Sequence, residues 1–217
     1  MLIPSISDGS PHHNVRAAGA VIVEAEPEKR APEPLRLVQQ FVNSVELDED
    51  DEELATAEDL KQWLVSRDLL PRGARVTTAD LRRALEVREG LRSVLAMHNG
   101  AVAAPEAAAS LEAALEGCTL RARFAADGTP GLVPVRDDAR AGLARLTAIV
   151  AAAATDGTWS RLKACADDGC RWAFYDHSKN RSGRWCSMKS CGNQHKARAF
   201  RERQRAPSAA QGRKARS

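Results

Sequence analysis

Four cysteines toward the C-terminus, Cys165, Cys170, Cys186 and Cys191, are spaced C-x4-C-x15-C-x4-C. Zinc takes four soft or borderline ligands at tetrahedral corners, each thiolate about 2.3 Å from the metal. Two close pairs on tight turns supply that set, and the fifteen-residue spacer leaves room for a strand, a turn and a return strand. Four thiolates favour zinc over magnesium or calcium. Disulfides suit this chain less well, because Pro, Asp and His stand at its start where a secretory leader needs an apolar stretch. Iron–sulfur clusters use other spacings and less basic flanks. The expectation is therefore one structural Zn2+ on the four thiolates, in a closed site with no open position for catalysis. His177 and His195 could each replace a cysteine, but a complete set leaves them to surface or phosphate contact. So small a module has little core, so the metal should be required for its structure.

The charge around these cysteines points to a polyanion. Residues 157–217 carry fifteen Lys and Arg against four Asp and Glu, a net of +11, whereas residues 1–156 carry −8. An acidic body with a basic end is the arrangement expected when that end meets nucleic acid. Six of the nine aromatics, Trp159, Trp172, Phe174, Tyr175, Trp185 and Phe200, fall in the same basic quarter, which a merely solvated tail would not contain. Arg171–Asp176 reads as a strand and Arg184–Cys186 as its return, with a donor-rich turn at residues 178–183. Lys196–Arg205 is helix-prone. Arg198, Arg201 and Arg205 share one face of it, and Lys196 and Arg203 another. So dense a cluster repels itself, and phosphate is the natural relief.

The elements that must carry this module are mainly helical. Residues 1–33, punctuated by Pro4, Pro11, Pro27 and Pro32, read as a mostly disordered arm in which His12 and His13 are polar filler. Leu35, Val38, Val42 and Val45 make one helical face, and the acidic run Glu46–Glu53 reads as a solvated loop. Thr56 is an N-cap for a helix with Leu60, Trp63 and Leu64 inward. Thr77–Asp80 opens a longer helix striped by Leu81, Ala84, Leu85, Leu91, Val94 and Leu95, closed at Asn99-Gly100. Pro105 starts a third, ending before Gly117. The segment from Cys118 to Phe124, the turn at 127–131 and the apolar run after it predict a β-hairpin. An Ala-rich helix follows over 138–154. Cys118 reads as a small buried apolar residue and His98 as a charge at a helix end. The fold class expected is mainly α with a small β-hairpin (α+β): a helical body at 34–156, a small treble-clef or ribbon-like zinc finger at 157–206, and a basic tail at 207–217.

The stretch Arg184-Trp185-Cys186-Ser187-Met188-Lys189-Ser190-Cys191-Gly192-Asn193 resembles the signature of the CGNR zinc fingers. The preceding run from Cys165 to Asp176, and Ser178-Lys179-Asn180, match its style. Upstream, LRLVQQFVNS, DLKQWL and TTADLRRALEVREGLRSVL are similar to the helical ABATE domain that precedes this finger in bacterial proteins. The resemblance spans about residues 35–206 and implies a stress-induced transcription regulator whose finger binds nucleic acid. One departure stands out: Gln194 occupies the place of the motif's last Arg. Lys196 and Arg198 match that residue in charge but not in bidentate geometry.

The leading expectation is a cytoplasmic, DNA-binding transcription regulator. Lys189, Lys196, Arg198, Arg201 and Arg205 would meet phosphates, and Asn180, Arg181 or Arg184 would reach base edges. Double-stranded DNA is favoured over RNA. A homodimer would supply the specificity a single finger lacks. An RNA reading would have Trp172, Phe174, Tyr175 and Trp185 stack on unpaired bases, unless they form the finger's core. A zinc-knuckle protein-docking module is a third reading. An enzyme is disfavoured, because beyond Asp176 and His177 no nucleophile and base are matched and no phosphate loop is present. No apolar run is long enough to span a membrane.

Overall fold

The computed structural model describes residues 13–17, 20–24, 29–47 and 51–205. Six α-helices carry it: α1 (Leu35–Val42), α2 (Ala57–Ser66), α3 (Thr78–His98), α4 (Pro105–Ala114), α5 (Ala139–Thr155) and α6 (Asn193–Arg205). Eight strands pair into four separate two-stranded antiparallel sheets: β1 (His13–Ala17) with β2 (Ala20–Glu24), β3 (Val45–Glu46) with β4 (Asp51–Glu52), β5 (Leu120–Phe124) with β6 (Pro130–Pro134), and β7 (Leu162–Ala164) with β8 (Ala173–Tyr175). The architecture is mainly helical with small sheets and a C-terminal four-cysteine cluster.

The local signals act through identifiable contacts. Thr56 accepts from the amide of Asp59 while the Asp59 carboxylate accepts from the amide of Thr56, a reciprocal cap that opens α2. Thr77 and Asp80 do the same for α3. The body core gathers Leu35, Val38, Phe41 and Val42 of α1, Leu60, Trp63 and Leu64 of α2, Leu81, Ala84, Leu91 and Leu95 of α3, and Leu143 and Leu146 of α5. Gly90 lets α4 approach α3, since a Cβ there would stand 2.8 Å from the Cβ of Leu111.

Two expectations about the body change. The arm over 1–33 carries structure where it is described: β1 and β2 form a hairpin, Ala31 is buried, and its amide donates to Gln39 Oε1 at 2.7 Å. The acidic run is not simply a solvated loop. Glu46 is buried on β3, and Glu52 on β4 takes a bidentate ion pair from Arg88 at 2.8 and 2.7 Å. Arg88 is itself buried on α3, on the same face as Leu81 and Ala84, so part of the run's negative charge is drawn inward by a buried cation. The tail over 207–217 lies outside the described residues, as does His12.

Candidate metal centre and basic helix

The first cysteine pair sits in the knuckle that joins β7 to β8. Cys165 donates its amide to the carbonyl of Trp172 at 2.9 Å, closing the hairpin end. The Asp167 carbonyl accepts from Cys170 and Arg171, and its carboxylate from Gly169 at 3.0 Å. The turn is completed by Arg171 at φ 48. The second pair lies on one turn of π-helix, Met188–Gly192, that runs directly into α6. Ser187 starts this turn, accepting from the amides of Lys189 on its hydroxyl and of Gly192 on its carbonyl.

All four sulfurs are buried and lie within 4.8 Å of one another. Cys170 and Cys186 are 3.6 Å apart, and Cys186 and Cys191 are 3.8 Å apart. A tetrahedron with metal–sulfur bonds of about 2.3 Å has edges of about 3.8 Å, so these thiols fit zinc and are too far apart for a disulfide. Contacts with Cys170, Cys186 and Cys191 hold the Cys165 thiol far below the usual thiol range, and those with Cys165 push Cys170 and Cys186 far above it. Such a cluster cannot carry several negative charges without a cation to neutralise them. Four sulfurs, with no fifth ligand group among the described residues, match a closed structural site, and the module holds one structural zinc.

Neither histidine joins the cluster. His177 Nε2 is 2.9 Å from the Arg30 carbonyl, and the His195 ring lies 4.6 Å from that of Trp185. Trp172 and Phe174 are buried with the four cysteines, so they form the finger's core and offer no stacking platform for bases. Tyr175 is buried in the body core, and Trp185 is partly buried against the cysteine cluster. The Asp176–His177 pairing considered for an enzyme does not form: Asp176 is buried and bonded elsewhere, while His177 is exposed.

The strand pairing differs from expectation. The partner of β8 is β7, before the first knuckle, and residues 184–186 are not a strand. What replaces the return strand is a braced loop. Lys163 on β7 is buried, and its ammonium donates to Asp176 Oδ2 at 2.7 Å, to the Arg181 carbonyl at 2.5 Å and to the Gly183 carbonyl at 3.1 Å. Asp176 also accepts from the amides of Ser178 (3.0 Å) and Gly183 (2.8 Å). Burial works against its ionised form, but Lys163, Ser178 and Gly183 outweigh it and hold the carboxyl far below the usual carboxylate range. Gly183 is needed here because a Cβ would stand 2.9 Å from the Asp176 carboxylate. The loop presents Lys179, Asn180, Arg181 and Ser182 to solvent. Arg181, at φ 52, turns its guanidinium back to Ser160 Oγ at 3.0 Å. Arg184 is exposed, and its carbonyl takes the Ala166 amide at 2.9 Å and Asn99 Nδ2 at 2.8 Å.

The finger is bonded to the body through polar side chains. Asn43 accepts from the amide of Ala173 at 2.7 Å and donates to its carbonyl at 2.9 Å, covering the open edge of β8 as a neighbouring strand would. Gln39 adds a second donor to that carbonyl at 3.0 Å. Arg92, fully buried on α3, bridges the carbonyls of Val42 (2.5 Å) and Arg171 (3.1 Å) and the carboxylate of Glu89 (3.0 Å). His98 Nδ1 donates to the Leu162 carbonyl at 2.8 Å, and its ring meets Trp159 edge-on. Burial pushes its imidazole down, which favours the neutral ring at this interface. These contacts had no motif to announce them; apart from Arg92–Glu89, each joins residues far apart in the chain.

The structure thus brings the predicted contact residues together in two groups. Asn180, Arg181 and Arg184 belong to the braced loop. Lys189 lies on the π-turn and Lys196, Arg198 and Arg201 on α6, all exposed. The backbone of Arg205 ends α6, and its side chain lies outside the described residues. A model of the CGNR zinc finger matches residues 161–204. A second family model, ABATE, described as "Putative stress-induced transcription regulator", matches residues 35–157, more than half of the chain. No curated protein matches.

Proposed function

Since the chain belongs to the ABATE family and ends in a CGNR zinc finger, we propose that it regulates transcription by binding double-stranded DNA through that finger. The observation that carries this reading is α6. A thirteen-residue helix grows out of the second cysteine pair and exposes Lys196, Arg198, Arg201 and Arg203 on a chain whose larger part is acidic. Zinc sets where the helix starts, and the fold around the site sets where the knuckles sit. With Lys189, these side chains would contact phosphates, while Asn180, Arg181 and Arg184 on the braced loop would lie against the duplex. The acidic body would keep the rest of the molecule off the polyanion, work in the cytoplasm and carry the surface for a homodimer.

Burial of Trp172, Phe174 and Tyr175 favours duplex over single-stranded RNA. The test is fluorescence anisotropy of the zinc-loaded protein on duplex DNA and on single-stranded RNA at several salt concentrations, with a chelator control. About five phosphate contacts give a log–log salt slope near −4.5 on duplex. Chelator-sensitive binding with that slope supports the reading. Binding to single strands alone, or to neither nucleic acid, overturns it.

A further inference from the structure

We infer that α6 also reads bases, through a face made of Ala197, Phe200 and Gln204, and that it selects duplexes presenting thymine methyls in the major groove. This rests on the duplex-binding reading above and assigns base contacts to residues given none there.

Phe200 is the first observation. It is 56% exposed, on a helix otherwise rich in cations. Phe200 is the large apolar side chain of α6, and contact with an apolar group is what would withdraw it from water. Its neighbours on the helix surface follow from about 100° per residue. Ala197 and Gln204, both exposed, lie within about 60° of it. Lys196 and Arg203 flank this face on one side and Arg201 on the other, while Arg198 lies about 160° from Phe200. The opposite side is the anchored one: His195 stacks on Trp185, and Ala199 is the half-buried residue of the exposed run. The apolar and amide face therefore points away from the zinc knuckle, between two rails of positive charge.

This order suits a duplex. A helix about 10–12 Å across fits a major groove about 12 Å wide, its flanks facing the phosphates and its outer face the base edges. There the thymine methyl takes apolar contact from side chains such as Ala and Phe, and the adenine edge takes a bidentate amide such as Gln. A second α6 is a poor occupant, because Lys196, Arg201 and Arg203 would meet their counterparts across the contact. Duplex RNA is excluded on two grounds: its major groove is too narrow for the helix, and uracil lacks the methyl.

The test uses the zinc-loaded full chain and two duplexes of one sequence, one with thymine and one with deoxyuridine at every such position. The wild type should bind the thymine duplex more tightly, by about fourfold for each methyl withdrawn from water. Phe200→Ala should bind more weakly, lose most of the thymine preference and keep the wild-type salt slope. Arg201→Ala should keep the preference and lower the slope by about one. Equal binding of both duplexes by the wild type, or an unchanged preference in Phe200→Ala, overturns the inference while duplex binding stands. Absence of duplex binding by the wild type removes the underlying reading as well. Zinc content and helical circular dichroism of each variant confirm that the comparison is between folded proteins.

Discussion

Replacing Lys163 by Met tests whether the finger's loop is held from beneath. The ammonium lies almost wholly out of solvent, makes three hydrogen bonds, and neutralises a carboxylate that is 1% exposed. Met fills the space of the stem but leaves Asp176 charged and without its cation, and leaves the carbonyls of Arg181 and Gly183 without their shared donor. Breaking a buried pair from one side costs about 3–5 kcal/mol, a large part of the roughly 5–15 kcal/mol that holds a domain together. Asp176→Asn on the Lys163→Met background removes the stranded charge while keeping an acceptor oxygen for one of the two amides, Ser178 or Gly183, that donate to separate carboxylate oxygens. The double variant should therefore recover about 2 kcal/mol relative to the sum of the two single changes. Urea unfolding of the zinc-loaded chain at pH 7 measures all three, with metal content checked for each. Asp176 adds a signature in acid. Its folded pKa lies below the unfolded value, so its stabilisation is present above the unfolded value and is lost as pH falls toward the folded one. Lys163→Met should lose it at higher pH. A cost below about 1 kcal/mol for Lys163→Met, or effects that add within about 0.5 kcal/mol, would refute the account of the loop.

Zinc removal should act on part of the finger. Chelation, or Cys191→Ser, should abolish amide protection in the π-turn and α6, while β7 and β8 stay protected by Asn43, Gln39 and His98; hydrogen exchange reads both, and loss of protection at Ala173 would contradict the interface. Glu53 supplies a pH test in the body. Burial pushes its carboxyl up to about 7 despite Arg67 and Trp63. Because the folded value is the higher one, its contribution is present below the unfolded value and lost as pH rises through about 7. Glu53→Gln should therefore match the wild type in thermal stability at pH 4 and gain on it toward pH 8, by at most about 3 kcal/mol; parallel curves would remove Glu53 from the titration.

The zinc site and the caps were legible because they are local. A pair of cysteines with four residues between them defines a knuckle whatever else the chain does, and Thr56 and Thr77 reach their partners within one helical turn. Hydrophobic periodicity found α1, α2, α3 and α5 because burying an apolar stripe is what fixes a helix to a body. An apolar stripe does not announce Arg88 and Arg92, cations on the same face of α3 that a carboxylate and a set of carbonyls hold inside. Residues 184–186 read as a return strand because alternation and β-propensity do not tell which of two flanking segments will pair with β8.

From the amino-acid order alone come four thiolates in two close pairs, a basic end on an acidic body, and a helix whose cations lie at helical spacing. These follow from bond lengths, charge and the helical repeat, which act over a few residues. Only the tertiary structure decides that the finger is bonded to the body through Asn43, Gln39, Arg92 and Asn99, that Lys163 and Asp176 brace the loop, and that Trp172 and Phe174 are core rather than platform. Each of those outcomes satisfies a buried polar group or fills a space created by residues distant in the chain, and neither requirement exists until the chain has folded.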